Sequence, residues 1–301
     1  MTDLPESLAV PASLTLAEGV VQYFADDGAP EGAGLLLYHH GTPAAGPLDP
    51  VMVSAARDAH LRLVELVRPG YGGSTRSPGR SVASVAPFAA ALADALGHDR
   101  FVTIGWSGGG PHAIATAALL PDRCAGAISL AGVAPVDAEG LNWLAGMGED
   151  NWHEFGAALA GEWFLERFLA EAGAELAAIS PDDVIAAMAS LLAPVDRDLL
   201  RTSFAATMAA ELRWSVSTGV WGWLDDDLAF VQPWGFDLAD VRVPIHVWHG
   251  TADLMVPVAH GHWLARNVPG ARAHVLEGQG HLSVSEHLGA AFREVSSLLA
   301  D

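Results

Sequence analysis

The chain is 301 residues long, 51% of them hydrophobic, and sets 36 acidic residues against 15 basic ones for a formal net charge of −21. That excess repels phosphate backbones and anionic lipid heads, which argues against nucleic-acid and membrane partners and leaves a small molecule as the expected ligand. The length suits one large core or a core with an inserted subdomain, and the lone Cys124, unable to form an internal disulfide, reads as a small core residue.

The opening Met1-Thr2-Asp3-Leu4-Pro5-Glu6 is acidic where a secretory signal is basic, and no apolar stretch with a small-residue cleavage site follows, so a cytoplasmic location is expected. Near-continuous aliphatic runs at residues 34–38, 61–67, 101–104, 126–130 and 245–248 have the pattern of parallel strands covered on both faces. Helical periodicity falls between and after them, at 50–60, 84–97, 110–119, 258–267 and 284–299, with a further strand expected over 272–277. The alternation predicts an α/β fold with one buried, mostly parallel, doubly wound sheet. Strand patterns stop from about 135 to 238. Helical segments there carry Trp143, Trp152, Trp163, Trp214, Trp221, Trp223 and Trp234, most of them expected to fill a small core of that segment's own. The most apolar window, 101–120, is long enough to cross a bilayer, but its glycines, Ser107, Pro111 and His112 interrupt it; it reads as strand, turn, helix.

At that turn stands Gly105-Trp106-Ser107-Gly108-Gly109-Gly110. A phosphate-cradling loop would need a lysine, which is lacking here, and the glycine spacing is not that of a dinucleotide fingerprint. Gly-x-Ser-x-Gly fits instead, with a serine on a strained strand-to-helix turn and small neighbours where the backbone passes close by. A serine hydroxyl attacks only when a base takes its proton, and the base needs a third group to orient it. After the apolar run Ile245–Trp248 comes a loop bearing Asp253, and after residues 272–277 comes Gly278-Gln279-Gly280-His281.

The order Ser107, Asp253, His281 is that of an α/β-hydrolase triad, and the chain resembles that superfamily over nearly its whole length. His39-His40-Gly41-Thr42-Pro43 looks like the family's His-Gly-x-Pro segment, and Arg68-Pro69-Gly70-Tyr71-Gly72-Gly73-Ser74 like the loop after its fourth strand. The resemblance implies the α/β-hydrolase fold, with a core of residues 1–134 and 239–301 and a helical cap, 135–238, between the sixth and seventh strands. It implies that Ser107 attacks, His281 moves the proton and Asp253 fixes the imidazole. The backbone N–H groups of Thr42 and Gly108 would hold the oxyanion. The sheet is expected to hold this machinery without help from the cap, which would supply the pocket's shape. His40, Trp106, Trp143 and Trp221 are the candidate pocket residues.

Relatives that open epoxides or remove halides attack with aspartate where Ser107 stands, which disfavours those reactions. Proline iminopeptidases usually show His-Gly-Gly-Pro-Gly and Gly-Gly-Ser-Trp-Gly, which this chain lacks. Hydrolysis of an ester or thioester of a small apolar substrate is the leading expectation, with amide, lactone or carbon-carbon hydrolysis, or a non-catalytic ligand receptor, as alternatives. No cofactor and no metal is implied. Among the remaining polar residues, His112 and His39 read as packed groups, His260 and His262 as surface residues, and the run Asp225-Asp226-Asp227 as a solvated end. Asp137 is the substitute acid should Asp253 not serve.

Overall fold

The computed structural model describes residues 10–299; the acidic opening segment lies outside the described residues. Eight strands form one sheet: β1 (Ala12–Leu16), β2 (Gly19–Ala25), β3 (Gly34–His39), β4 (Leu61–Leu66), β5 (Phe101–Trp106), β6 (Cys124–Leu130), β7 (Ile245–Gly250) and β8 (Arg272–Leu276). Their order is β1-β2-β4-β3-β5-β6-β7-β8. From β4 to β8 all neighbours run parallel, while β1 and β2 form an antiparallel edge. Every residue of β6 and β7 is buried, which explains their unbroken apolar runs: helices cover both faces, so no side need be polar.

The helices are α1 (Pro50–Asp58), α2 (Ala86–Ala95), α3 (Gly109–Leu119), α4 (Glu149–Ala160), α5 (Glu162–Ala178), α6 (Val184–Ala187), α7 (Pro194–Leu200), α8 (Phe204–Ser215), α9 (Trp221–Phe230), α10 (Val258–Asn267) and α11 (Leu288–Ser296). The stretch expected to be helical over 84–97 opens with a 3₁₀ turn, Val82–Val85, because Ser81 and Ser84 exchange hydrogen bonds at its start and Pro87 sits in the first turn of α2. Between β6 and β7 the described chain has only helices and loops, α4 to α9. No helix among the described residues is long and apolar enough to cross a membrane.

The tryptophans of this segment do not build a core of its own. Trp143 and Trp234 pack into the main core on one face of the sheet, and Trp223 joins the other. The segment's own cluster gathers Ile179, Val184, Leu192, Leu200, Ala209 and Leu212 against Met255 and Leu282. Trp152, Trp163 and Trp221 are exposed. Trp163 and Trp221 lie under the guanidinium groups of Arg167 and Arg76, 5.1 and 4.5 Å from the ring centres, so each keeps a cationic cover in water.

Candidate active site

Ser107 is one of three described non-glycine residues with positive φ, at 55°. Its amide donates to the Leu130 carbonyl at 2.8 Å, and its own carbonyl accepts from Gly110 N at 2.9 Å, fixing the turn between β5 and α3. The flanking glycines are required by contact. A Cβ on Gly105 would stand 1.9 Å from the Gly109 carbonyl oxygen, and one on Gly109 would stand 1.9 Å from the His39 carbonyl oxygen. The hydroxyl is thus carried past the end of β5 on a backbone that only a crowded, side-chain-free neighbourhood permits.

His281, in the loop after β8, donates from Nδ1 to Asp253 Oδ2 at 2.8 Å. Asp253, after β7, is buried and receives the Met255 and Val256 amides on Oδ1 at 2.9 and 2.8 Å. Burial alone would raise its pKa, but the His281 charge and the bonds from His249 and His281 hold it at about 2. Burial likewise pulls the His281 imidazole down, and the Asp253 charge and hydrogen bond, with Asp196 behind them, more than reverse that, leaving it above its ordinary value. Asp137 is exposed, and the acid bonded to His281 is Asp253.

Sequence reasoning missed a second carboxylate at this loop. Asp196 projects from α7, is fully buried, and accepts the backbone amides of His281, Leu282 and Ser283 at 2.9, 3.0 and 2.9 Å. The helical segment therefore reaches back to the loop that carries His281, contrary to the expectation that the sheet suffices. Trp106 helps from the other side, its indole N–H donating to the His281 carbonyl at 3.2 Å.

A second contribution of the same kind overturns the reading of Asp225-Asp226-Asp227 as a solvated end: all three are buried in α9. Asp226 accepts from Arg68 Nη2 at 2.6 Å, Tyr71 Oη at 2.8 Å and Thr42 Oγ1 at 2.8 Å, and pairs with Arg80 at 2.6 Å. Arg68, itself fully buried, donates onward to the carbonyls of His40 and Gly41 at 2.6 and 2.9 Å. Burial would make Asp226 a poor anion, but Arg68 and Arg80 hold its pKa well below the usual range. This knot clamps the backbone before Thr42. A Cβ on Gly108 would stand 2.4 Å from Thr42 Oγ1, so the two proposed oxyanion donors come from adjoining segments.

A cavity of about 700 Å³ opens beside these groups, and its wall includes Thr42, Trp106, Ser107, Trp223 and His281. A smaller recess adds Gly108 and Asp227 to Thr42 and Ser107. Of the candidate pocket residues, Trp106 lies on the wall, whereas His40, Trp143 and Trp221 do not. His40 is buried in the loop, donating from Nδ1 to the Gly41 carbonyl at 2.7 Å and accepting the Arg68 amide at 3.2 Å, with burial keeping it neutral. Trp143 is spent on structure, its indole donating to the Ala134 carbonyl at 2.7 Å and its ring packed on Phe155. Trp221 faces water. Trp223, two residues on, is the one turned inward, and helical phase rather than composition decides between them.

His260 is likewise not a surface residue. It is buried and accepts the Ala134 amide at 3.1 Å, while His262 is exposed. His112 is packed as expected, its pKa lowered to about 4 by burial, and Cys124 is a core residue whose thiol burial pushes up to about 12. Among the described residues one trio could converge on a cation: His246, His274 and Glu294, whose ligand atoms lie within 4.8 Å of one another near the amino ends of β7 and β8, away from Ser107. The Glu294 carboxylate sits 2.8 and 3.1 Å from the two imidazoles, close enough to pair with either when it is protonated.

Comparison with known proteins agrees with this architecture. The family described as alpha/beta hydrolase fold matches residues 34–288. A pimeloyl-[acyl-carrier protein] methyl ester esterase of Aromatoleum aromaticum is 37% identical over 54 residues, a stretch that spans 18% of this chain and only 22% of that protein. An alpha/beta hydrolase fold protein from Nakamurella multipartita superposes with a TM-score of 0.60 at 25% identity, covering 96% of this chain and 99% of the other. A thermophilic esterase from Thermogutta terrifontis, solved with malate bound, gives 0.62 at 21% identity over 97% and 98% of the two chains.

Proposed function

Since the chain belongs to the alpha/beta hydrolase fold family, we propose that it is a serine hydrolase that cleaves an ester or thioester of a small substrate through an acyl-enzyme intermediate. The observation that carries this reading is the positive-φ Ser107 sharing one cavity wall with a His281 that is already bonded to a buried Asp253. Ser107 Oγ attacks the substrate carbonyl carbon and gives its proton to His281 Nε2, the ring nitrogen left free by the Asp253 bond. Asp253 stabilises the imidazolium without taking the proton itself. The tetrahedral oxyanion is held by the amides of Gly108 and Thr42, a type of donor whose loss typically costs about 10²–10³ in turnover. Collapse breaks the bond to the leaving alcohol or thiol, which takes the proton from His281. Water then attacks the acyl-enzyme with His281 again as base, releasing the acid and restoring Ser107.

In this reading residues 1–134 and 239–301 are the core and 135–238 the cap, with the cap contributing carboxylates to the catalytic loops as well as the outer pocket wall. Ester cleavage is favoured over amide cleavage because the chain lacks the iminopeptidase motifs, and the esterase names among its relatives point the same way. The test is labelling with a fluorophosphonate, followed by p-nitrophenyl ester and thioester hydrolysis. One label should appear, on Ser107, and Ser107→Ala should abolish labelling and turnover while keeping the wild-type melting temperature. A label elsewhere, or an active Ser107→Ala, would refute the assignment, and a well-folded protein that neither labels nor hydrolyses would be a ligand receptor.

A further inference from the structure

Burying a carboxylate is expensive unless a cation or several N–H groups answer it, and most of the buried acids here are answered. Asp26 has Arg57, Asp225 has Arg76, Asp226 has Arg68 and Arg80, Asp253 has His281, and Asp196 has three amides. Of the rest, Asp49 takes two amides at the start of α1 and Glu65 one from Gly46, while Glu154, Glu211 and Asp227 have no cation and stand at the cavity that holds Ser107 or the recess beside it. Among the described residues the cavity wall carries seven Asp or Glu side chains and no lysine or arginine. Four stand exposed near the surface, Glu171, Glu175 and Asp183 among them, and three lie deeper: Asp49, Glu154 and Glu211.

The deep ones lack cationic partners. The charged neighbours of Glu211 are acids, Asp49 and Glu65, and its carboxyl is pushed well above the usual range, first by burial and then by those two. Glu154 accepts the Trp223 indole N–H at 2.7 Å on one oxygen and faces Asp227 with the rest of its carboxyl. Asp227 is fully buried on the wall of the recess beside Ser107, and neither of its oxygens receives a hydrogen bond from an N–H or hydroxyl group. The Glu154 and Asp227 carboxyls face each other, and sharing a proton relieves their repulsion. Their geometry thus offers acceptor oxygens in a low dielectric next to the nucleophile, on carboxyls that ionise once a cation answers them. An ammonium group is such a cation, because it brings a positive charge and up to three N–H donors. A carboxylate or phosphate would meet repulsion from every side of the wall.

Resting on the serine-hydrolase reading above, we propose that this cavity selects substrates bearing a protonated amino group, held by Glu154 with Asp227, and rejects anionic ones. Three p-nitrophenyl esters of matched chain length test it: 6-aminohexanoate, heptanoate and the monoester of adipate. The expected order of kcat/KM is ammonium over methyl over carboxylate, with at least about a tenfold step each way. Glu154→Gln should shrink the ammonium-to-methyl ratio, and Glu211→Gln, elsewhere on the wall, should shrink it less. Calorimetric titration of Ser107→Ala with hexylammonium and with hexanoate reads the same preference without chemistry, and hexylammonium should bind more tightly. A carboxylate ester turned over as fast as the methyl one, or hexanoate binding as tightly as hexylammonium, would overturn the proposal while leaving a labelled Ser107 intact. Failure of labelling with preferential hexylammonium binding would instead overturn the hydrolase reading and keep the cation site.

Discussion

At His281 two opposing forces of similar kind meet: burial disfavours the imidazolium, and the Asp253 carboxylate 2.8 Å away favours it. The second wins, so the pKa of the free enzyme stands above the ordinary imidazole value of roughly 6.5. The sign for activity follows. In the proposed mechanism the base must be neutral to take the Ser107 proton, so kcat/KM should be full at alkaline pH and fall as pH drops through an inflection above that ordinary value. Replacing Asp253 by Asn removes the winning force. The inflection should then move down, and turnover should fall by roughly 10⁴, the cost seen when a triad acid is neutralised in other enzymes. A pH profile of p-nitrophenyl ester hydrolysis from pH 5 to 9 for both proteins reads these shifts. An acid limb centred below pH 6 in the wild type would remove His281 as the base.

Two helices of the inserted segment reach into the site from far along the chain. Asp196 of α7 caps the His281 loop across 85 positions, and Asp226 of α9 anchors Arg68 across 158. Asp196→Ala should leave three buried amides without an acceptor, each worth roughly 1–3 kcal/mol when stranded. We expect a lower melting temperature and a kcat that falls more than KM rises, because the loop that aims the imidazole loosens while the cavity keeps its wall. Asp196→Asn, which retains one acceptor oxygen, should recover part of the loss. Equal and proportionate changes in kcat and KM, or no change in kcat, would leave Asp196 with a purely structural role. These two residues also mark where sequence reasoning stopped. The turn at Ser107 was legible because its steric demands fall on Gly105 and Gly109, two positions either side. Asp253 was legible because it follows the unbroken apolar run 245–248, and His281 because its place after Ser107 and Asp253 completes the family's chain order. The buried strands showed by such runs as well, whereas the β1–β2 edge, with alternating and partly exposed residues, left none. Asp226 sits in a triple-acid run that composition assigns to water, and only the approach of Arg68 and Arg80 makes it a buried anion. The pocket tryptophans failed similarly: Trp221 and Trp223 are two apart on one helix, and nothing local says which turns inward.

Taken as a whole, the molecule keeps a number of acids neutral while carrying a formal charge of −21, and its stability should register that. Glu65, buried in β4 with one amide bond from Gly46, has its carboxyl raised to about 8, mainly by burial, and Glu154 stands near 7. In the unfolded chain both ionise near pH 4.3. Between those values the folded state holds protons that the unfolded state has released, so stability declines as pH rises and levels off once the folded groups ionise too. Below about pH 6.5 the buried histidines act in the opposite sense. His112 and His260, each lowered to about 4, must stay neutral in the fold while their unfolded counterparts gain protons, so on their own they lower stability on acidification. For these four groups the two effects nearly cancel between about pH 4.5 and 6, and above about pH 6.5 the carboxyl effect dominates. From there to pH 8 the loss should reach at most roughly 2 kcal/mol per raised carboxyl, since one pH unit of differential protonation is worth about 1.4 kcal/mol. Urea unfolding at pH 6.5 and 8.5 measures it, and Glu65→Gln, which keeps an acceptor for Gly46 and cannot ionise, should flatten the slope. A midpoint that rises over this interval, or a slope unchanged by Glu65→Gln, would mean that Glu65 is ionised in the fold and that its charge is answered by Arg68 across the same core.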